Sequence, residues 1–208
     1  MQNLILASAG IVGVSCSRKG AEYTNQGVGA VKRLYRKFQH WCDLYQEYLD
    51  RPGRGNASYP IPSENEYREF LTKLKLRHFH PNEIIGPHRN VKNGVSNHIP
   101  PKHLWTNIEG TLKTVDELRE RLGARGTVLS IYRSQKYNTA IGGASKSQHM
   151  RNRAIDVKFA CSSDRAFQEA LKMRKEGFFQ GGIGWYPTFI HLDTRGYDCV
   201  WGKEEPMG

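Results

Sequence analysis

Three side chains in the second half of the chain are of metal-binding types: His149, Asp156 and His191. Two imidazoles and a carboxylate fill three of zinc's four tetrahedral positions and leave one for water or substrate. That is the pattern of a catalytic centre, since structural centres are usually closed by four protein ligands. Zinc lowers the pKa of a coordinated water to about 7, which supplies a nucleophile at neutral pH. His191 and Asp193 stand two apart, so on a strand both point to one face. Asp193 then either takes a proton from the attacking water or orients His191 from behind. Arg133 ends a β-prone run and offers fixed positive charge to a substrate carboxylate or a developing oxyanion. Taken alone, a His and an Asp seven residues apart say little, because chance produces such pairs often. The His-x-Asp run adds modestly to them.

The elements that must position these side chains are readable from periodicity and stop signals. Thr127–Tyr132 is β-prone, and Arg133–Lys146 is a polar Gly/Ser/Asn loop. Arg153–Phe159 alternates and carries Asp156, with Asn152 before it at a place where a turn needs a left-handed residue. Ser163–Glu176 reads as a helix with Ala166, Phe167, Ala170 and Leu171 inward and Gly177 as its cap. Gly182–Tyr186 and Phe189–Thr194 read as a hairpin joined at Pro187-Thr188. Upstream, Pro101–Leu122 is a helix stopped by Gly123, and Asn82–Pro101 is irregular. His78 and His80 stand two apart before a proline, which fits packing or surface histidines better than ligands. Ser63 and Glu66 form a capping box that opens a helix ending near Arg77. Gly27–Asp50 is a long amphipathic helix with Lys32, Arg33, Arg36 and Lys37 on its polar face. The Gly/Pro-rich loop Arg51–Pro62 follows it. The chain then divides into an N-terminal extension, 1–75, and a site-bearing domain, 76–208.

Composition narrows the class. Of 208 residues, 38% are hydrophobic and 25% charged, which suits a globular chain and excludes a disordered one. A formal net charge of +11 favours polyanionic partners such as nucleic acid, acidic membrane surfaces or an anionic cell wall. No base-reading motif accompanies the basic helix, so no specific nucleic-acid partner is expected. No apolar run reaches the roughly 18 residues of a membrane span. Residues 1–16 form a short apolar stretch ending at Cys16, which reads either as a processed leader or as a buried N-terminal element. The cysteines include no Cys-x-x-Cys pair, so a cysteine zinc site is not expected. Cys161 and Cys199 flank the site, either as a bridge in an oxidising compartment or as two buried thiols. The oligomeric state has no signature in the sequence.

Several motifs fall in a recognisable order: Ser130-Ile131-Tyr132-Arg133-Ser134, Asn138, Gly142-Gly143-Ala144, Ser147-x-His149, Ala154-x-Asp156, Gly181-Gly182-Ile183-Gly184-x-Tyr186-Pro187 and His191-x-Asp193. Across Leu76–Trp201 the chain resembles the zinc D-alanyl-D-alanine peptidase family, which shares its metal fold with the hedgehog signalling domain. It is most similar to the murein endopeptidase branch. The resemblance implies a Zn2+ cofactor held by His149, Asp156 and His191, with Arg133 near the substrate. It also implies cleavage of peptidoglycan peptides, in a periplasmic, cell-envelope or secreted setting. The implied fold is α+β, a small antiparallel sheet carrying the zinc site and flanked by helices, with the N-terminal helical extension added. Two positions depart from the pattern. Asn152 stands where glycine is usual. Thr188 stands where many members carry a catalytic acid, three residues before the last zinc histidine. Asp193 is then the substitute proton acceptor, with Glu176 a second choice. A second reading is a catalytically silent module of the same fold that binds wall peptides.

Overall fold

The computed structural model describes residues 62–202. The basic helix expected over Gly27–Asp50, the apolar stretch 1–16, Cys16 and Cys42 lie outside the described residues. Helix α1, Glu64–Lys73, opens with the expected capping box. Ser63 Oγ accepts the Glu66 N–H at 3.2 Å, and the Glu66 carboxylate accepts the Ser63 N–H at 3.0 Å. The helix stops earlier than expected, and Lys75 turns left-handed at φ 51°. Buried Asp116 then receives the backbone N–H groups of Arg77 (3.0 Å) and His78 (2.8 Å). The His78 ring pairs with Glu120, and His80 caps the short helix α2, Pro81–Ile85.

The stretch expected to be irregular, Asn82–Pro101, is more ordered than its sequence suggests. After α2 come a 3-10 turn, Gly86–Arg89, and a hairpin of β1, Val91–Lys92, and β2, Val95–Ser96. Asn93 and Gly94 take φ values of 50° and 73°, which suit the tight connections that favour Asn-Gly. The helix expected from Pro101 is split into a 3-10 segment, Lys102–Ile108, and α3, Glu109–Leu122, ended by Gly123 at φ 55°. Strand β3, Gly126–Ser130, is followed by α4, Gln135–Ala140, inside the stretch expected as loop. Ser134 caps α4 by accepting the Tyr137 N–H at 3.3 Å. The remaining elements are a 3-10 turn, Gln148–Arg151, β4, Ala154–Phe159, α5, Ser163–Lys175, β5, Gly182–Trp185, β6, Ile190–Asp193, and β7, Cys199–Trp201.

The main sheet runs β3-β4-β6-β5-β7. Its first three pairings are antiparallel, whereas β7 lies parallel to β5 at the edge, so the sheet is mixed. With β1–β2 as a separate small antiparallel sheet and helices on the flanks, the fold is α+β. Ile155, Val157, Ile183, Ile190 and Leu192 project from one face of the main sheet. They share a core with Leu112, Val115 and Leu118 of α3 and Phe167, Ala170 and Met173 of α5. Tyr67 and Leu71 of α1 belong to the same core. Each Val, Leu, Ile, Phe or Met among them contributes roughly 1.5–3 kcal/mol when fully buried.

His88 is the least expected group in that interior. It is 2% exposed, it meets Tyr67 edge-on at 5.7 Å, and neither ring nitrogen has a well-formed hydrogen bond among the described residues. Burial pushes its pKa from 6.5 down to about 4, and the neighbouring Ile85 and Ile84 carbonyls offset only part of that. The unfolded chain therefore takes up the proton first. Stability is at its full value above pH 6.5 and declines as pH falls from 6.5 towards 4. The expected loss is about 2 kcal/mol by pH 5. Denaturant melts of the native protein and His88→Leu at pH 7.5 and pH 5 check this: on acidification the native protein should lose about 2 kcal/mol more stability than the variant does. A pH-independent difference rules the effect out.

Candidate metal centre

One row of residues crosses the main sheet. Ser130 on β3 is opposite Asp156 on β4, Asp156 is opposite His191 on β6, His191 is opposite Gly184 on β5, and Gly184 is beside Trp201 on β7. The adjacent row, Ile155, Leu192 and Ile183, points into the core. Strand periodicity thus puts Asp156 and His191 side by side on the face away from the core. Gly184 is required there, because a Cβ would stand 2.5 Å from the Trp201 ring. The indole so admitted lies 5.0 Å from the His191 ring, and its Nε1–H donates to Tyr186 Oη at 3.2 Å.

His149 reaches the same place from the turn before β4. Asn152, at φ 52° and ψ 44°, makes the left-handed reversal anticipated from the sequence. Three polar groups hold this turn against the 3-10 segment and α3. Asn152 Nδ2 donates to the Leu104 carbonyl (3.0 Å), Asn107 Nδ2 to that of Arg151 (3.0 Å), and Thr111 Oγ1 to that of Arg153 (2.7 Å).

The three metal-type side chains meet. His149 Nε2 is 3.2 Å from Asp156 Oδ1 and 3.2 Å from His191 Nδ1, and the last two atoms are 2.9 Å apart. A tetrahedral zinc with bonds of about 2.0–2.1 Å separates its ligand atoms by roughly 3.3 Å, so the triangle has the right size. The tautomers also fit. His149 Nδ1–H donates to the Ile131 carbonyl at 2.5 Å, and His191 Nε2–H donates to Asp193 Oδ2 at 3.0 Å. Each of these bonds leaves a lone pair on the nitrogen that faces the triad. All three residues are buried, and together they form a group that could hold a metal ion. Burial lowers the pKa of His149, against the pull of Asp156. For Asp156, burial works upward, but His149 and then His191 outweigh it and hold the carboxylate well below its usual range. For His191, burial works downward, and the bonds to Asp156 and Asp193 reverse the sign, so its pKa is raised.

Arg133 is brought to the site as well. Its Nε–H donates to Ser130 Oγ at 2.7 Å, and Nη2 donates to Asp156 Oδ2, the oxygen that does not face the histidines. Asp193 sits at the other ring nitrogen of His191, away from the triad. Its Oδ1 accepts the N–H groups of Gly182 (3.1 Å) and Arg195 (3.2 Å) and Arg195 Nε–H (2.8 Å), and its Oδ2 accepts Arg195 Nη2–H (2.6 Å) as well as His191. Thr188 is exposed in the β5–β6 turn, and Glu176 pairs with Arg121 at 2.5 Å. Cys161 and Cys199 are free thiols. Sequence reasoning missed Arg195 and Ser130. Continuing the alternation His191, Asp193, Arg195 would have placed Arg195 on the same face, whereas Ser130 stood in the first family-like motif without a role of its own.

Two imidazoles and a carboxylate that converge in this way are the donor set that mononuclear hydrolytic zinc centres use. Residues 77–193, more than half of the chain, match the family model described as Peptidase M15, and the chain belongs to that family of zinc D-alanyl-D-alanine peptidases. No curated protein and no solved structure matches it. Among the described residues, no helix is long and apolar enough to cross a membrane.

Proposed function

We propose that this protein is a zinc metallopeptidase that hydrolyses peptide bonds in peptidoglycan stem peptides or their cross-links, in the manner of a murein endopeptidase. The observation that carries the reading is the convergence of His149 Nε2, Asp156 Oδ1 and His191 Nδ1 within 3.2 Å, with the outer nitrogen of each ring held by an acceptor. Zinc held by these three atoms supplies Lewis acidity and a water nucleophile at neutral pH. Hydrolysis adds the water oxygen to the carbonyl carbon and delivers a proton to the leaving amine.

The chain's own residues divide the remaining work. Asp156 ligates through one oxygen and anchors Arg133 through the other. Arg133, fixed by Ser130 and Asp156, is positioned to meet a substrate carboxylate or the charge that develops on the carbonyl oxygen. Asp193 holds His191 in the ligating tautomer. Its two oxygens are engaged by Arg195, Gly182 and His191, which favours this positioning role over proton transfer. The net charge of +11 suits an anionic wall partner and a periplasmic, cell-envelope or secreted location.

The test is digestion of muropeptides by the zinc-loaded protein, with products read by mass. Cleavage is expected, and it should disappear in His149→Ala and after chelation. The product masses separate an endopeptidase from a carboxypeptidase. Intact muropeptides beside stoichiometric zinc would overturn the peptidase reading in favour of a silent wall-peptide-binding module.

A further inference from the structure

Arg133 is bracketed by one side chain from a distant part of the chain. Asn97 follows β2 and is 8% exposed. Its Nδ2–H donates to the Tyr132 carbonyl at 2.8 Å, and its Oδ1 accepts the Ser134 N–H at 3.0 Å. One rigid amide therefore grips the backbone on both sides of Arg133, as a neighbouring strand would. A carboxamide suits this task, because one contact needs a donor and the other an acceptor and it carries the two side by side.

Asn97 is itself fixed. Its N–H donates to the Asn90 carbonyl at 2.9 Å, across the mouth of the β1–β2 hairpin, and Asn93 at the hairpin tip donates to the Ala140 carbonyl of α4 at 3.0 Å. On its other side, the Arg133 N–H donates to the His149 carbonyl at 3.2 Å. The peptide that carries Arg133 is thus clamped between Asn97 and the turn that carries a metal ligand.

We propose that Asn97 is a positioning residue that aims the Arg133 guanidinium at Asp156 and the substrate. The small β1–β2 hairpin is the arm that delivers it. This rests on the reading of Arg133 as a substrate-facing group.

A double-mutant cycle on the zinc-loaded full chain tests it. Asn97→Ala should lower kcat/KM on muropeptides about 10- to 100-fold, with zinc content unchanged. In an Arg133→Ala background, the same change should cost about twofold or less, because Asn97 acts through Arg133. Equal losses in both backgrounds overturn the proposal. Full activity in Arg133→Ala alone removes the role given to Arg133, and this inference with it. A second readout needs no turnover. The Arg133 Nε–H signal in nitrogen-15 NMR, assigned by its absence in Arg133→Ala, should exchange with solvent about tenfold faster in Asn97→Ala while other arginine signals stay put. Unchanged exchange overturns the proposal even in a protein that cleaves no muropeptide. Asn97→Asp, equal in size, keeps the acceptor and loses the donor, and it carries both tests if the alanine variant does not fold.

Discussion

Asp156→Ala is expected to remove zinc binding and peptide cleavage in one step. Asp156 is the one side chain that touches every other member of the centre. Its Oδ1 faces both histidines and its Oδ2 receives Arg133. Alanine leaves two imidazoles with no anionic ligand and Arg133 with no counter-charge in a largely buried setting. Breaking a buried pair from one side costs about 3 kcal/mol or more. Two measurements separate the effects. Metal analysis after dialysis against limiting zinc reports the lost ligand. Denaturant unfolding of both proteins in chelator reports the orphaned arginine, since metal linkage is then absent from both. Retained stoichiometric zinc in Asp156→Ala would exclude the ligand assignment.

Asp193→Asn is the second large effect, and its form discriminates between two roles. As a positioning group, Asp193 keeps a proton on His191 Nε2 and so frees Nδ1 for the metal. Its loss should weaken zinc affinity about 10- to 100-fold, and activity should return towards normal when zinc is supplied in excess. As a proton acceptor, it would instead take kcat with it at full zinc occupancy. Competition with a calibrated chelator, followed by kinetics at saturating zinc, distinguishes the two. Burial opposes the Asp193 charge, but His191 and then Arg195 outweigh it and lower its pKa from 3.8. The sign follows: the contribution of the Asp193 ionisation to stability is fully present above pH 3.8 and fades as pH falls below that value.

The parts of this fold that follow from strict local rules were legible in the sequence. The His-x-Asp alternation on β6, the Ser63–Glu66 capping box and the left-handed turn at Asn152 each depend on a few adjacent residues, and each is present. Helix α5 and the β5–β6 hairpin also lie where periodicity put them, within a residue or two. Contacts with no local period were not legible. The clamp of Asn97 on Tyr132 and Ser134 spans more than thirty residues, and nothing in its spacing announces it. The parallel pairing of β7 with β5 depends on Gly184 leaving room for Trp201, which is a property of two strands together. Helix α4 was hidden in a polar stretch because six residues with few apolar side chains give too little periodicity to detect. The hairpin β1–β2 did carry a signal, Asn93-Gly94, but its strands are only two residues long, too short for alternation to register.

The row that crosses the main sheet ties coordination chemistry to strand alignment. Asp156 and His191 are direct partners across β4 and β6, while Ile155 and Leu192, one step along, face the core. Sliding either strand by a single residue would bury a ligand among apolar side chains and expose a core residue in its place. A metal held by Asp156 and His191 would therefore need the native alignment. Zinc bound by these residues would act on folding as well as on chemistry, since it would favour the native pairing of segments that are far apart in the chain.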